Sequence, residues 1–116
     1  MNPRSDRDEI PQGMLDLLIL RTLTRAKELH GFEIAELIER TSEDVLQVEE
    51  GSLYPALQRL LIKGFIAGEW GRTSENRRAR YYQITSAGRK HLRAEMQIYE
   101  RVAAAVARVL TPIEGL

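Results

Sequence analysis

The sequence predicts a mainly α fold with a small β-hairpin, a winged helix-turn-helix carrying one long C-terminal helix. Three observations predict it. An amphipathic pattern over residues 51–63 stops at Gly64 and runs into two β-like stretches around an arginine-rich turn. Two helical patterns precede it, over about Pro11 to Arg25 and Phe32 to Glu39. A third, unbroken, follows from about Ser86 to Leu110. At 116 residues there is room for one core. The expected divisions are a flexible arm (1–10), a winged-helix domain (11–85) and a terminal helix (86–116).

Residues 1–9 are charged and lack periodicity, which predicts a loose arm. Arg4 and Arg7 suit phosphate, but Asp6, Asp8 and Glu9 oppose that role. In the first helix, Met14, Leu15, Leu17, Leu18, Ile19, Leu20 and Leu23 leave little polar surface beyond Asp16 and Arg21. A helix apolar nearly all round is buried on more than one side, so the side bearing Leu15 and Leu18 is expected to meet a second subunit. His30 and Gly31 break the pattern before the second helix, whose stripe is Ile34, Leu37 and Ile38 and whose Glu33, Glu36 and Glu39 should face water. His30 reads as a helix-boundary residue, since no other ligand type that would hold a metal lies beside it. In the connection that follows, Val45, Leu46 and Val48 are apolar enough to tether it to the core. Glu49 and Glu50 complement the dipole at the next helix start. They would repel phosphate there, unless they lie beside the groove or meet a basic neighbour.

The helix over 51–63 is the centre of the pattern. Leu53, Leu57, Leu60 and Leu61 form its buried stripe, Pro55 is acceptable near the start, and Gly64 can turn the chain left-handed at the end. Its outward side carries Ser52, Pro55, Gln58 and Arg59, flanked by Tyr54 and Lys63. Such a small, polar, partly cationic face suits a DNA-recognition helix. The strands over 66–72 and 78–85 flank a polar connector of hairpin length, 73–77. Trp70, Tyr82 and Ile84 are expected to face the core. Arg72, Asn76, Arg77, Arg78 and Arg80 cluster around the tip with one acid, Glu75, and arginine forks match phosphate oxygens. A hairpin protected at its edges by charge is the alternative, but that device normally mixes signs. Net charge is zero, yet residues 28–50 hold one base and eight acids (1 − 8 = −7) and residues 63–93 hold eight bases and two acids (8 − 2 = +6). Charge runs are often only solvated faces; here the positive end coincides with the hairpin, where a polyanion would dock.

Thr85 is a suitable N-cap for the terminal helix. Leu92, Met96, Tyr99, Ala103, Val106 and Leu110 recur at heptad spacing, and Ile98, Val102, Ala105 and Val109 form a second seam. One stripe covers the chain's own core and two call for a partner, unless they form a single wide stripe packed within the monomer; a two-fold dimer built from this helix and the first is expected. There are no cysteines, no signal-peptide pattern and no membrane-length apolar run, so a soluble, cytoplasmic protein is expected. His30 and His91 lie far apart and no glycine-rich phosphate loop occurs, so neither catalysis, a metal nor a cofactor is expected. The competing account is a winged-helix module that binds protein, supported by Glu49, Glu50 and Ile62.

The chain resembles PadR-type transcriptional regulators over roughly residues 11–95. The resemblance rests on LHGFEI (29–34), GSLYPAL (51–57) and RARYYQITSAGR (78–89). VLQVEEGS (45–52), EWG (69–71) and SENRR (74–78) look like a branch of that family first described from acidobacteria. The resemblance implies a winged helix-turn-helix domain, a C-terminal dimerisation helix and repression at an inverted repeat in double-stranded promoter DNA. A single helix after the wing looks like the short subfamily. Carried over by position, Ser52, Tyr54 and Pro55 lie near DNA, with burial the alternative for Tyr54 because it sits at the stripe's edge. Arg77, Arg78 and Arg80 fall in the wing. Phe32 replaces the usual tyrosine, and Leu61 and Ile62 stand where charges are common. Ile62 would meet a thymine methyl or another protein surface. The family also implies a small-molecule effector, with Met96 and Tyr99 near its site between paired terminal helices.

Overall fold

The computed structural model describes residues 8–11 and 13–113, with the side chains of 8 and 9 excepted. Along the chain run β1 (Asp8–Glu9), α1 (Leu15–Leu23), β2 (Leu29–His30), α2 (Gly31–Thr41), β3 (Leu46–Gln47), α3 (Glu50–Ile62), β4 (Ile66–Arg72), β5 (Arg78–Ile84) and α4 (Ser86–Leu110). Helices α1, α2 and α3 enclose the core with the base of the β4–β5 hairpin. Ile19, Leu20, Leu23, Ile34, Leu57 and Leu60 are its largest fully buried side chains.

The apolar periods place the helices and local hydrogen bonds end them. His30 begins α2 through a capping box: its Nδ1 accepts from the Glu33 N–H at 3.4 Å, and Glu33 Oε1 accepts from the His30 N–H at 3.0 Å. Helix α3 ends at Ile62 with Lys63 as its C-cap, and Gly64 follows in the left-handed region with φ +77°. Pro55 lies inside α3, not at its first turn. It cannot donate to the carbonyl four residues back, and the loss falls on the exposed side of the helix. Thr85 begins α4, its hydroxyl oxygen accepting from the Gly88 N–H at 3.0 Å.

Several expectations need correction. Helix α1 starts at Leu15, not Pro11, because a turn from Pro11 to Met14 comes first. The anticipated arm is not loose at its end, since Asp8 and Glu9 pair in parallel with Leu46 and Gln47; residues 1–7 lie outside the described residues. Leu29 and His30 pair with Tyr82 and Tyr81, which makes the hairpin the larger part of a three-stranded antiparallel sheet. Leu46 and Val48 pack on the core, but Val45 is exposed. Glu39 does more than face water: its Oε2 accepts from the Val48 N–H at 2.9 Å. Ser42 Oγ accepts from the Leu46 N–H at 3.1 Å, so two polar side chains at the end of α2 hold the connection that Val45 does not.

Helix α4 divides into two parts. Leu92 is buried and Met96 packs on the core's edge, whereas over residues 97–113 only Ala105 is partly covered. Its first turn lies close against the loop between α3 and β4. Thr85 Oγ1 donates to the Gly64 carbonyl at 2.7 Å, and the Thr85 N–H to the Phe65 carbonyl at 3.0 Å. His91 stacks on Phe65, centroids 4.3 Å apart. A Cβ on Gly88 would overlap the Phe65 carbonyl oxygen. Among the described residues, no helix is long and apolar enough to cross a membrane.

The junction makes a stability prediction. Gly88→Ala should lower unfolding free energy by roughly 3 kcal/mol, the upper part of the range for overpacking, because the obstacle is backbone. Thr85→Ala should cost about 1 kcal/mol through the lost cap, with Thr85→Ser close to wild type. Urea unfolding midpoints distinguish the three variants.

Candidate nucleic-acid interface

Helix α3 buries Leu53, Ala56, Leu57 and Leu60, and Leu61 packs on the core's edge. At about 100° per residue, Gly51, Pro55, Gln58 and Ile62 lie within roughly 60° of one another on the opposite side. All four are exposed, Ile62 by 78%. Ser52, Arg59 and Lys63 flank this strip on one edge and Tyr54 on the other. The centre of the outward face therefore carries no charge, and Ile62 occupies it as fully as Gln58. Tyr54 is 52% exposed, its ring resting on Gly31 at the start of α2, so the choice left open for it resolves to a half-exposed flank.

Arg59 is not a free cation. Its Nη2 donates to Asp16 Oδ1 at 2.8 Å and its Nε to Oδ2 at 3.4 Å. These bonds, and then the carboxylate's charge, raise the guanidinium pKa further above its ordinary value. Asp16 thus ties α3 to α1 at the rim of the face. No sequence signal marks this pair, since the two residues are 43 positions apart. Glu49 is the N-cap residue of α3 and Glu50 its first residue; both are exposed.

The hairpin keeps the expected turn. The Thr73 N–H donates to the Arg77 carbonyl at 2.8 Å, the Arg77 N–H to Thr73 Oγ1 at 3.2 Å, and Asn76 takes φ +63°. Arg72 Nη1 donates to the Asn76 carbonyl at 3.2 Å, and Arg77 Nε lies 3.8 Å from Glu75 Oε2. Tyr81 Oη donates to the Arg72 carbonyl at 3.1 Å, and its ring meets His30 edge-on at 5.4 Å. This brace between wing and α2 was not anticipated; the tandem tyrosines at 81 and 82, pointing to opposite faces, were the available sign. Tyr82 goes to the core as expected, and burial pushes its phenol above the ordinary value while Arg80 pulls it partly back. Trp70 does not reach the core. It is 61% exposed because the hairpin extends past the helices, although its strand parity matches that of buried Ile66.

Of the residues assigned to a dimer contact, Leu15 and Leu92 are buried within this chain, and Leu18 and Met96 pack on its core. Tyr99, Ala103, Val106 and Leu110 are exposed along α4. Among the described residues there is no group of three or more His, Cys, Asp or Glu side chains placed to hold a metal.

A three-helix core that presents one helix face outward, followed by an arginine-bearing hairpin, defines a winged helix-turn-helix protein. The chain belongs to the PadR-like family of transcriptional regulators, whose profile matches residues 19–94. It is similar to a transcriptional regulator from Clostridium thermocellum, 26% identical with TM-score 0.78 over 86% of this chain and 96% of that one. A PadR family transcription regulator from Clostridium difficile R20291 is 29% identical, with TM-score 0.73 over 85% of this chain and 100% of that one. PadR of Bacillus subtilis, solved in complex with operator DNA, shares the fold at 23% identity and TM-score 0.64. That likeness covers 72% of this chain and 47% of that protein.

The Asp16–Arg59 pair is half-exposed, with side-chain exposures of 25% and 52%. Asp16→Ala should therefore shift stability by less than about 1 kcal/mol. Thermal unfolding in low and high salt checks this, and a larger loss that salt leaves unchanged would contradict it.

Proposed function

We propose that the chain is a dimeric repressor that binds an inverted repeat in promoter DNA through α3 and the β4–β5 wing. The observation that carries this reading is the outward face of α3. It is free of packing and uncharged at its centre, with Ser52, Tyr54, Arg59 and Lys63 at its edges. Such a face can enter a major groove, where Gln58 suits an adenine edge and Ile62 a thymine methyl. The wing adds Arg72, Arg77, Arg78 and Arg80 with Asn76, and the operator-bound Bacillus subtilis protein of the same fold supports a DNA partner.

Dimerisation is supported by the second half of α4, where Ile98, Val102, Val106 and Val109 are 48–83% exposed. A strip of that kind is covered in a stable assembly. A two-fold pair would present two α3 helices to successive major grooves, with half-sites about one helical turn apart. Leu15 and Leu92 are enclosed in this chain's own core, so the proposed contact is assigned to Tyr99, Ala103, Val106 and Leu110 with the neighbouring seam. Met96 and Tyr99, where α4 leaves the core, remain the place for a small-molecule effector between the paired helices. A protein working on promoter DNA in this way acts in the cytoplasm.

A second reading is favoured by the same Ile62 side chain: an apolar residue at the centre of the face, with Glu49 and Glu50 at the helix start, suits a protein partner. A gel shift on the gene's own upstream region, with salt and non-specific competitor, separates the two. A discrete competitor-resistant complex is expected; no complex even at low salt would favour the protein-binding account.

Val102→Glu with Val106→Glu should leave the monomer folded and make it monomeric by sedimentation. Operator affinity should fall about a hundredfold or more through lost bivalency. Retention of a dimer by that double variant would rule out the α4 contact.

A further inference from the structure

The register of the hairpin sorts its side chains into two unlike faces. On one face, from base to tip, stand Ile66 opposite Ile84, Gly68 opposite Tyr82, Trp70 opposite Arg80, and Arg72 opposite Arg78. The other face carries Ala67 and Gln83, Glu69 and Tyr81, Gly71 and Ala79. All three strand arginines thus share the face that begins as core, and the one strand acid is on the other.

That face is built at a cost to the hairpin alone. Arg72 and Arg78 are directly opposite, an arrangement of like charges that weakens a strand pair. Among the described residues, no carboxylate pairs with Arg72, Arg78 or Arg80. Arg80 lies across Gly68, where a Cβ would stand 2.7 Å from its Nε, and that buried Nε has no hydrogen-bond partner among the described residues. The Arg78 guanidinium sits over the exposed Trp70 ring, 4.4 Å from its centroid. A cation over an indole face is held by the ring's π electrons, which accept no N–H in place of a phosphate oxygen, so the guanidinium's donors stay available to one.

We propose that Trp70 is a positioning residue that holds the Arg78 guanidinium on the Arg72–Arg78–Arg80 face of the wing, ready to receive a backbone phosphate of duplex DNA. This rests on the DNA-binding reading above and adds which side of the wing is used and what prepares it. Excess positive charge on one face and its absence from the other select a polyanion as occupant. Trp70 accounts for its own exposure in this way, since an indole in solvent is otherwise a liability in a small hairpin.

Trp70 is the only tryptophan in the chain, so its emission reports on this site directly. Adding duplex DNA from the upstream region to the full chain should change that emission, with polyglutamate producing no comparable change. Trp70→Ala should weaken DNA binding about two- to fivefold, the range an exposed cation–π pair spans, and Trp70→Phe should restore most of it. Arg78→Ala should reduce the log–log salt slope by about 0.9, one phosphate contact. In the Arg78→Ala background, Trp70→Ala should have little further effect, because the two act as one unit. Circular dichroism melts establish that each variant is folded. Wild-type chain that binds no duplex overturns both this proposal and the DNA-binding reading. Wild-type binding with independent, additive losses from Trp70→Ala and Arg78→Ala overturns only this one. So does a Trp70 emission that responds to polyglutamate and not to DNA, which would assign the face to an acidic protein.

Discussion

The hydrogen bonds around Thr85 hold together every part of the molecule that the proposed function uses. One hydroxyl accepts from the Gly88 N–H and donates to the Gly64 carbonyl, while the Thr85 N–H reaches the Phe65 carbonyl. Gly64 and Phe65 close α3 and lead into the wing; Thr85 and Gly88 close the wing and open α4. Thr85 therefore links the end of α3, the base of the wing and the first turn of α4 through its side chain and its backbone N–H together. The approach is so close that only a residue without a Cβ fits at 88. Hydrogen bonds of this kind contribute only about 1 kcal/mol each, so their importance is geometric more than energetic.

Around that junction, burial is distributed to leave one helix face unused. Helix α3 gives Leu53, Ala56, Leu57 and Leu60 to the core, and α1 secures its rim through Asp16 and Arg59. What remains outward is short in charge. Affinity supplied by arginines on the wing and selectivity supplied by an uncharged strip on α3 would be a division of roles between contacts that position and contacts that specify. The capping box of His30 and Glu33, with Tyr81 against His30, extends the same bracing to α2 and the wing.

Helix α4 shows how one continuous helix serves two purposes. Leu92 completes the core, and the turns beyond Met96 leave it. A run of 25 residues spans about 37 Å at 1.5 Å per residue, more than a core of this size can cover. The apolar strip beyond the core is uncompensated in a single chain, which is why the dimer reading rests on this half of the helix and not on α1, whose Leu15 is already enclosed.

Much of the fold was legible along the chain because its signals are local. The periods of Ile34 and Ile38, of Leu53, Leu57 and Leu60, and of the α4 seam mark three helices; Gly64 and Thr85 mark ends; residues 73–77 mark the turn. Pro55 and Gln58 were legible as outward residues of α3 for the same reason, whereas Gly51 and Ile62, not Ser52 and Arg59, complete the centre of that face. Tertiary structure alone decided the rest. Strand parity placed Trp70 on the core side, but only the reach of the helices determines where that side meets solvent. Periodicity marked Leu15 and Leu92 as apolar, yet whether their partner is this chain or another depends on packing. The short pairings of β1 with β3 and β2 with β5, the Glu39 bond to Val48 and the Asp16–Arg59 pair join segments with no sequence pattern in common. Such contacts follow from the assembled fold, because each partner's chemistry permits many others and only proximity selects one.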